Sequence, residues 1–340
     1  MKILYITSGF PGIYDYFDHW IVNACKVNNV HCKLFNLYEG LPRLKFVFQR
    51  FQPDLVLTMT GFVLSKEMTD WLGKRHVPLA VWMTEDPYYM DLTLPIIERY
   101  DFIFTIDTAA QKVYEQNGHK LVFPLPLGTE PSVFKAATEQ DAVQERDICL
   151  VGFPYPDRIE LIKYLLDNTD YTITVVGGRW RDDLSQHNEN TKLTIIDWST
   201  PLEVAEYYRQ SKIILNTNRP HNYSENKNSI GVINQSVNNR TFDIAATCGF
   251  QLLSYKKGIS DIFTDEEIVT FESKEDLLEK IRYYMEDETK RKAMACKAQE
   301  KVLKNHTFSN RIQQLVKITR YTPVARFSQS LFDQSSLFTK

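Results

Sequence analysis

Several features are missing from this chain, and each absence excludes something. No apolar stretch reaches the ~18 residues that a membrane-spanning helix needs, so none is expected. Charge of one sign is missing too: Lys+Arg 40 against Asp+Glu 43 leaves −3. So even a balance gives no global electrostatic footprint for nucleic acid or an anionic membrane, and no nucleic-acid partner is expected. A local basic patch stays compatible with it. The five cysteines (Cys25, Cys32, Cys149, Cys248, Cys296) form no CxxC pair, and the seven histidines show no HxH or HExxH spacing. These read as reduced thiols filling small core positions in a cytoplasmic protein, with no metal centre. The turn Gly9-Phe10-Pro11-Gly12 lacks the GxGxxG spacing, which disfavours a nicotinamide dehydrogenase, and no GKS/T phosphate loop occurs. The first apolar run, 3–6, is broken by Gly9, Pro11 and Gly12. It is too short for a signal sequence and reads as a first strand.

What is present is ordinary globular material. The chain is 43% hydrophobic and 24% charged, which excludes a disordered or low-complexity protein. Its 340 residues suggest two domains at about 150 residues each. Short apolar runs alternate with segments of helical spacing. The runs fall at 2–7, 31–36, 54–59, 78–83, 101–106 and 121–125, then again at 147–152, 171–176, 192–196, 212–216, 251–254 and 268–271. Helical spacing covers 13–28, 108–117, 156–166, 201–210, 238–248, 274–286, 289–304 and 308–318. Strands alternating with helices build right-handed βαβ units and parallel sheets. Near-continuous apolar strands suit sheets covered on both faces. The fold class expected is therefore α/β, with two similar doubly wound domains. Residues 1–128 form the first, 129–146 a polar linker and 147–304 the second, with 305–340 returning to the first.

Open parallel sheets bind ligands beyond the carboxyl ends of their strands. In the first half the residues there include Gly9, Phe10, Gly61, Glu85 and Asp86. In the second half they include Gly152, Tyr155, Arg158, Gly178, Trp198, Asn216, Asn218 and Arg219. Glycines admit close approach of a ligand to backbone N–H groups, and arginines offer paired donors, so the second set suits a phosphate-bearing ligand. Taken singly, each of these residues also reads as plain turn chemistry. The sharpest segment runs from Asn239 through Arg240, Thr241 and Asp243 to Cys248 and Gly249. Asn can open a helix there and Gly249 can close it. A helix start that carries Arg240 is an anion site, with Asp243 placed to accept from a ribose diol. Upstream, 219–237 is rich in Asn and Ser. A stretch of that length without an element is a candidate active-site loop, expected to order when donor binds.

VGFPYPDR (151–158), DWSTPLEVAEYYRQSKIILNTNRP (197–220), NNRTFDIAATCGFQLLS (238–254) and WMTEDPYYMD (82–91) carry a resemblance. So do LPLGTEPSVFK (125–135) and HTFSNRIQQL (306–315). On these segments the chain resembles the CgeB-like, spore-maturation branch of the group 1 GT-B glycosyltransferases. The resemblance implies two Rossmann-like domains facing across a cleft, with a nucleotide-sugar on the second and an acceptor on the first. Relatives carry two Glu eight residues apart; here Asp243 holds the second position and Gln235 the first. The implied activity moves a sugar, of hexosyl type, from a nucleotide diphosphate-sugar to a hydroxyl. A UDP-sugar is favoured by family habit. The acceptor would be a spore-coat or cell-surface glycan, a protein or a small molecule.

The chain has no Asp-X-Asp triplet, so no metal and no cofactor are expected. Arg158, Arg219 and Arg240 would meet the leaving-group charge instead. Gly152, Tyr155, Gly178, Trp198, Asn216, Asn218, Asn239, Thr241 and Asp243 would complete the donor site. Gly9, Phe10 and Gly61 would line the acceptor side. A carboxylate must take the acceptor's proton, Asp86 being the first choice and Glu85 the second. The alternatives are a non-catalytic nucleotide-sugar binder, raised by Gln235 and Asp243, and a sugar-nucleotide epimerase.

Overall fold

The structure is a computed structural model and describes residues 1–137, 144–187 and 189–324. It divides into two compact units. Among the described residues, unit 1 comprises Met1–Leu127, Glu225–Asn234 and Phe308–Val324; unit 2 comprises those of Gly128–Ser224 and Gln235–Thr307.

Unit 1 is built on a parallel sheet of six strands, all within two residues of the apolar runs. They are β1 (Lys2–Ile6), β2 (His31–Phe35), β3 (Leu55–Met59), β4 (Leu79–Met83), β5 (Phe102–Thr105) and β6 (Val122–Pro124). Their order is β2-β1-β3-β4-β5-β6. Every residue of β3, β4 and β5 is buried, as strands covered on both faces require. The last described helix, Phe308–Tyr321, returns to this unit. Phe308 packs its ring 5.9 Å from Phe17 and 5.5 Å from Trp20, both on the helix Ile13–Val27. Burying such a ring contributes about 2–3 kcal/mol. Asn28 Nδ2 donates to the Ser309 carbonyl at 3.0 Å and fixes the register of the returning helix.

Unit 2 repeats the plan with β7 (Arg146–Val151), β8 (Ile173–Val176), β9 (Leu193–Ile196), β10 (Ser211–Asn216), β11 (Gln251–Ser254) and β12 (Val269–Phe271). The order is β12-β11-β10-β7-β8-β9, again parallel. The chain winds from β7 one way to β9, then crosses back to β10 on the other side of β7. The reversal puts a topological switch point between β7 and β10, where such sheets open to ligands.

Two segments differ from expectation. Residues 129–134, read as linker, are folded into unit 2. Thr129 pairs with Thr307 and its N–H donates to the His306 carbonyl at 2.9 Å, while Phe134 packs on Tyr208. The rest of that linker between 138 and 143, and the final segment 325–340, lie outside the described residues. The polar stretch after Arg219 is the second difference. Its 225–234 part, expected in the second domain, belongs to unit 1 and is held by specific bonds. Lys227 and Asp91 share one backbone bond at 2.8 Å and Lys227 donates to the Tyr88 carbonyl at 2.9 Å. Ser229 Oγ donates to Asp91 at 2.7 Å, and Asn234 Nδ2 donates to Asp107 at 2.8 Å. Val232 packs on the unit 1 core. Polar side chains here replace the regular ladder, which a pattern of Asn and Ser cannot reveal.

Candidate functional site

At the switch point of unit 2 the chain leaves β7 at Gly152 and β10 at Asn216. Gly152 has φ +140°, a backbone conformation suited to glycine. A Cβ there would fall 2.5 Å from Arg158 Nη1 and 3.3 Å from Arg240 Nη1. The missing side chain is therefore what lets two guanidinium groups converge on one turn. Arg240 Nη2 donates to the Thr217 carbonyl at 3.0 Å, which aims the group at the strand ends.

Arg158 was expected to touch the leaving group, and the structure corrects this. Its residue is only 2% exposed. Nε donates to Thr217 Oγ1 at 2.7 Å, Nη1 to the Phe153 carbonyl at 2.8 Å and Nη2 to the Thr217 carbonyl at 2.6 Å. Arg158 braces the two turns and supplies positive charge from behind, rather than a surface donor.

An aromatic group faces the same turns. The Tyr155 ring lies 5.1 Å from both Phe153 and Tyr223, measured between centroids. Arg219 sits over Tyr155 at 5.7 Å and over Tyr223 at 5.6 Å, and Arg179 over Phe153 at 5.4 Å. A ring face holds a cation in place without cancelling its formal charge, so an anion is still attracted to it. Phe153, Thr217 and Tyr223 were not singled out from the sequence. Phe153 stood inside a quoted motif, but Tyr223 lay in a stretch that offered no period.

Asparagines lock the base of this site. Asn216 is buried, donating to Thr241 Oγ1 at 3.0 Å and Gln251 at 2.9 Å. Asn238, also missed, donates to Asn216 at 2.9 Å and to Asn218 at 3.2 Å. The helix carrying Arg240 runs only Arg240–Ala246, shorter than 238–248. So short a helix offers little dipole, and the positive charge at these turns comes from guanidinium groups. Asn239 donates its side-chain amide to Asp243 Oδ2 at 3.2 Å. Asp243 is buried, and its Oδ1 has no partner within hydrogen-bond reach. Burial raises its pKa to about 7, against the pull of Thr129, Arg240 and Asn239.

Two expected donor residues are not drawn in. Trp198 is 56% exposed and follows β9 at the sheet edge, two strands from β7 and so about 10 Å off at normal strand spacing. Gly178 is exposed and a Cβ there would meet nothing.

In unit 1, Gly9 and Gly61 end the strands β1 and β3 at that sheet's own reversal. Both have positive φ and no room for a side chain: Gly9 is packed by Leu37, and Gly61 by Val81 and Tyr100. Phe10 belongs to a run of rings, 5.5 Å from Tyr14 and 5.6 Å from Phe62, with Tyr89 stacked on Phe62 at 5.8 Å. Glu85 is half-buried beside them and accepts from the Tyr14 hydroxyl at 2.5 Å.

Asp86, the first choice as proton acceptor, is corrected by its surroundings. It is 1% exposed, and its two oxygens accept from Thr105 Oγ1 at 2.6 Å and the Tyr114 hydroxyl at 2.7 Å. Burial raises its pKa to about 7. It ties β4 to β5 and the helix Thr108–Gln116, and both its oxygens are already engaged, which suits a brace rather than a proton acceptor. Among the described residues no group of three His, Cys, Asp or Glu could hold a metal, and no helix is long and apolar enough to cross a membrane.

Comparison with known proteins gives a family and a fold. The family described as glycosyl transferase-like matches residues 158–317. Spore protein CgeB of Bacillus subtilis (strain 168) is 31% identical over 305 residues, which is 89% of this chain and 94% of that protein. The sucrose-phosphate synthase of Thermosynechococcus elongatus has the same fold, with a TM-score of 0.69 at 12% identity over 94% of this chain and 98% of its own. Anabaena Alr3699/HepE, solved in complex with UDP and glucose, gives 0.67 at 12% identity over 95% and 100%. The shared fold is GT-B.

Proposed function

We propose that this chain, which belongs to the glycosyl transferase-like family that includes spore protein CgeB, transfers a hexosyl unit from a UDP-sugar to a hydroxyl group. The observation that carries the reading is the convergence of Arg158 and Arg240 on Gly152 at the unit 2 switch point. The neighbour solved with UDP and glucose supports the choice of donor.

In this reading the diphosphate lies over Gly152. Arg240 and Arg219 donate to its oxygens, and Arg158 adds charge from below. As the C1–O bond breaks, negative charge grows on the departing diphosphate, and fixed guanidinium groups stabilise it without reorganising. That set of cations does a metal's electrostatic work, so activity is expected to survive chelation. Asp243 accepts from the ribose diol, and Tyr155 or Tyr223 offers a face to the base. Glu85 takes the acceptor's proton, steadied by the Tyr14 hydroxyl. Phe10, Phe62 and Tyr89 present ring faces suited to a polyhydroxylated acceptor.

The test is release of UDP from UDP-sugars, with and without candidate hydroxyl acceptors and with a chelator present. Acceptor-dependent release supports the transferase. Tight UDP-sugar binding with no release under any acceptor would leave the chain a non-catalytic binder.

A further inference from the structure

The five thiols are not all the enclosed core groups that the sequence suggests. Cys296 is exposed on the helix Glu288–Asn305, and Cys248 is half-buried just past the helix Arg240–Ala246. Their Sγ atoms lie 3.3 Å apart, although the residues are 48 positions apart in the chain. Both belong to unit 2. Cys248 has φ +57°, a left-handed conformation that is strained for a β-carbon-bearing residue and is usually given to glycine. Gly249 stands next to it but does not take that position. The turn thus places a thiol, at a conformational cost, against a second thiol that faces solvent. The two helices are also joined by Gln299 Nε2, which donates to the Ala246 carbonyl at 2.8 Å.

We propose that Cys248 and Cys296 are an oxidisable dithiol, a covalent modification site that low-molecular-weight disulfides convert to an intrachain disulfide. The exposed Cys296 thiolate attacks a small disulfide RS–SR. A Cys296–S–S–R bond forms, the RS–SR bond breaks and RS⁻ leaves. Cys248 then loses its proton to solvent and attacks Cys296 Sγ, forming the intrachain bond and expelling the second RS⁻. The protein loses two electrons and the small disulfide gains them. Burial and the neighbouring thiol raise the Cys248 pKa, which suits it to resolve rather than to attack. The disulfide fastens the end of the helix that carries Arg240 and Asp243 to the long helix behind it. The sulfurs already touch, so the site's geometry is kept.

The experiment treats the full chain with oxidised glutathione at pH 8 and reads intact mass, thiol titration and a peptide map. The wild type is expected to lose two titratable thiols and two hydrogens, with a Cys248–Cys296 cross-linked peptide. Cys248→Ser should stop at one glutathione on Cys296, and Cys296→Ser should take up none at Cys248. Melting temperature should rise in the oxidised wild type and fall back with reductant, since a cross-link across so long a loop restricts the unfolded chain. UDP affinity should stay within about twofold in all forms, because the Sγ atoms move little. A cross-link elsewhere, as between Cys25 and Cys32, would overturn the proposal. So would a wild type that keeps all its thiols, or one that accumulates only mixed disulfide at Cys296.

Discussion

Replacing Asp243 by Asn should make the protein more stable and a poorer binder at once. Asp243 is buried with one oxygen lacking a hydrogen-bond partner, and burial raises its pKa from the usual 3.8 to about 7. Below pH 3.8 the group is protonated in folded and unfolded chains alike, and it costs nothing. As pH rises from there to about 7, the unfolded chain gives up the proton and the folded one resists. Stability is lost over that window and stays lost above it. The gap between the two values corresponds to ~4 kcal/mol as a ceiling, with roughly half already gone at pH 5.5. Asn239 donates to the carboxyl through one amide N–H, and the carbonyl oxygen of the introduced side-chain amide could accept that same bond. Urea unfolding at pH 5.5 and pH 8 should therefore show D243N more stable than wild type, by about 2 kcal/mol more at the higher pH. Donor affinity should fall about tenfold or more, the worth of one hydrogen bond to a charged acceptor. A D243N protein no more stable at pH 8, or shifted equally at both pH values, would refute the buried-charge argument.

Gly152→Ala should push the Arg158 guanidinium off three hydrogen bonds and weaken both unit 2 stability, by about 3 kcal/mol, and UDP binding. Denaturation and calorimetry read the two effects. Glu85→Gln should lower kcat about a hundredfold or more with UDP-sugar affinity intact. Asp86→Asn should instead leave kcat near the wild-type value, and its effect on unit 1 stability should turn more favourable as pH rises from about 4 to 8, because the amide carries no buried charge between the Thr105 and Tyr114 hydroxyls. Kinetics normalised to folded protein separates these two carboxyl groups. Asp91→Ala removes the acceptor for Ser229 and should speed proteolytic cutting within 225–234, with or without UDP. Unchanged cutting would show that the segment is held by other contacts.

The sheets were legible because their strands are buried on both faces, so each appears as a short apolar run. The strand-end rule picks out Gly152 and Asn216, and the helix-start segment picks out Arg240; the structure brings all three to one switch point. What the sequence hid was partnership over distance. Arg158 looks like a ligand until Thr217, 59 residues away, takes its donors. Asp86 looks like a base until Thr105 and Tyr114, 19 and 28 residues on, close over it. The 225–234 segment looks like a loop of the second domain because its partners, Tyr88, Asp91 and Asp107, lie more than a hundred residues earlier. Trp198 looked like a base-stacking ring, but its strand lies at the sheet edge.

The guanidinium cluster is tested most directly by calorimetry of UDP and of uridine against the wild type and Arg240→Ala. If the cluster receives a diphosphate, the wild type binds UDP about a hundredfold or more tighter than uridine, and most of that preference disappears in the variant. Equal affinity for the two ligands, or a variant that keeps the full preference, would contradict it.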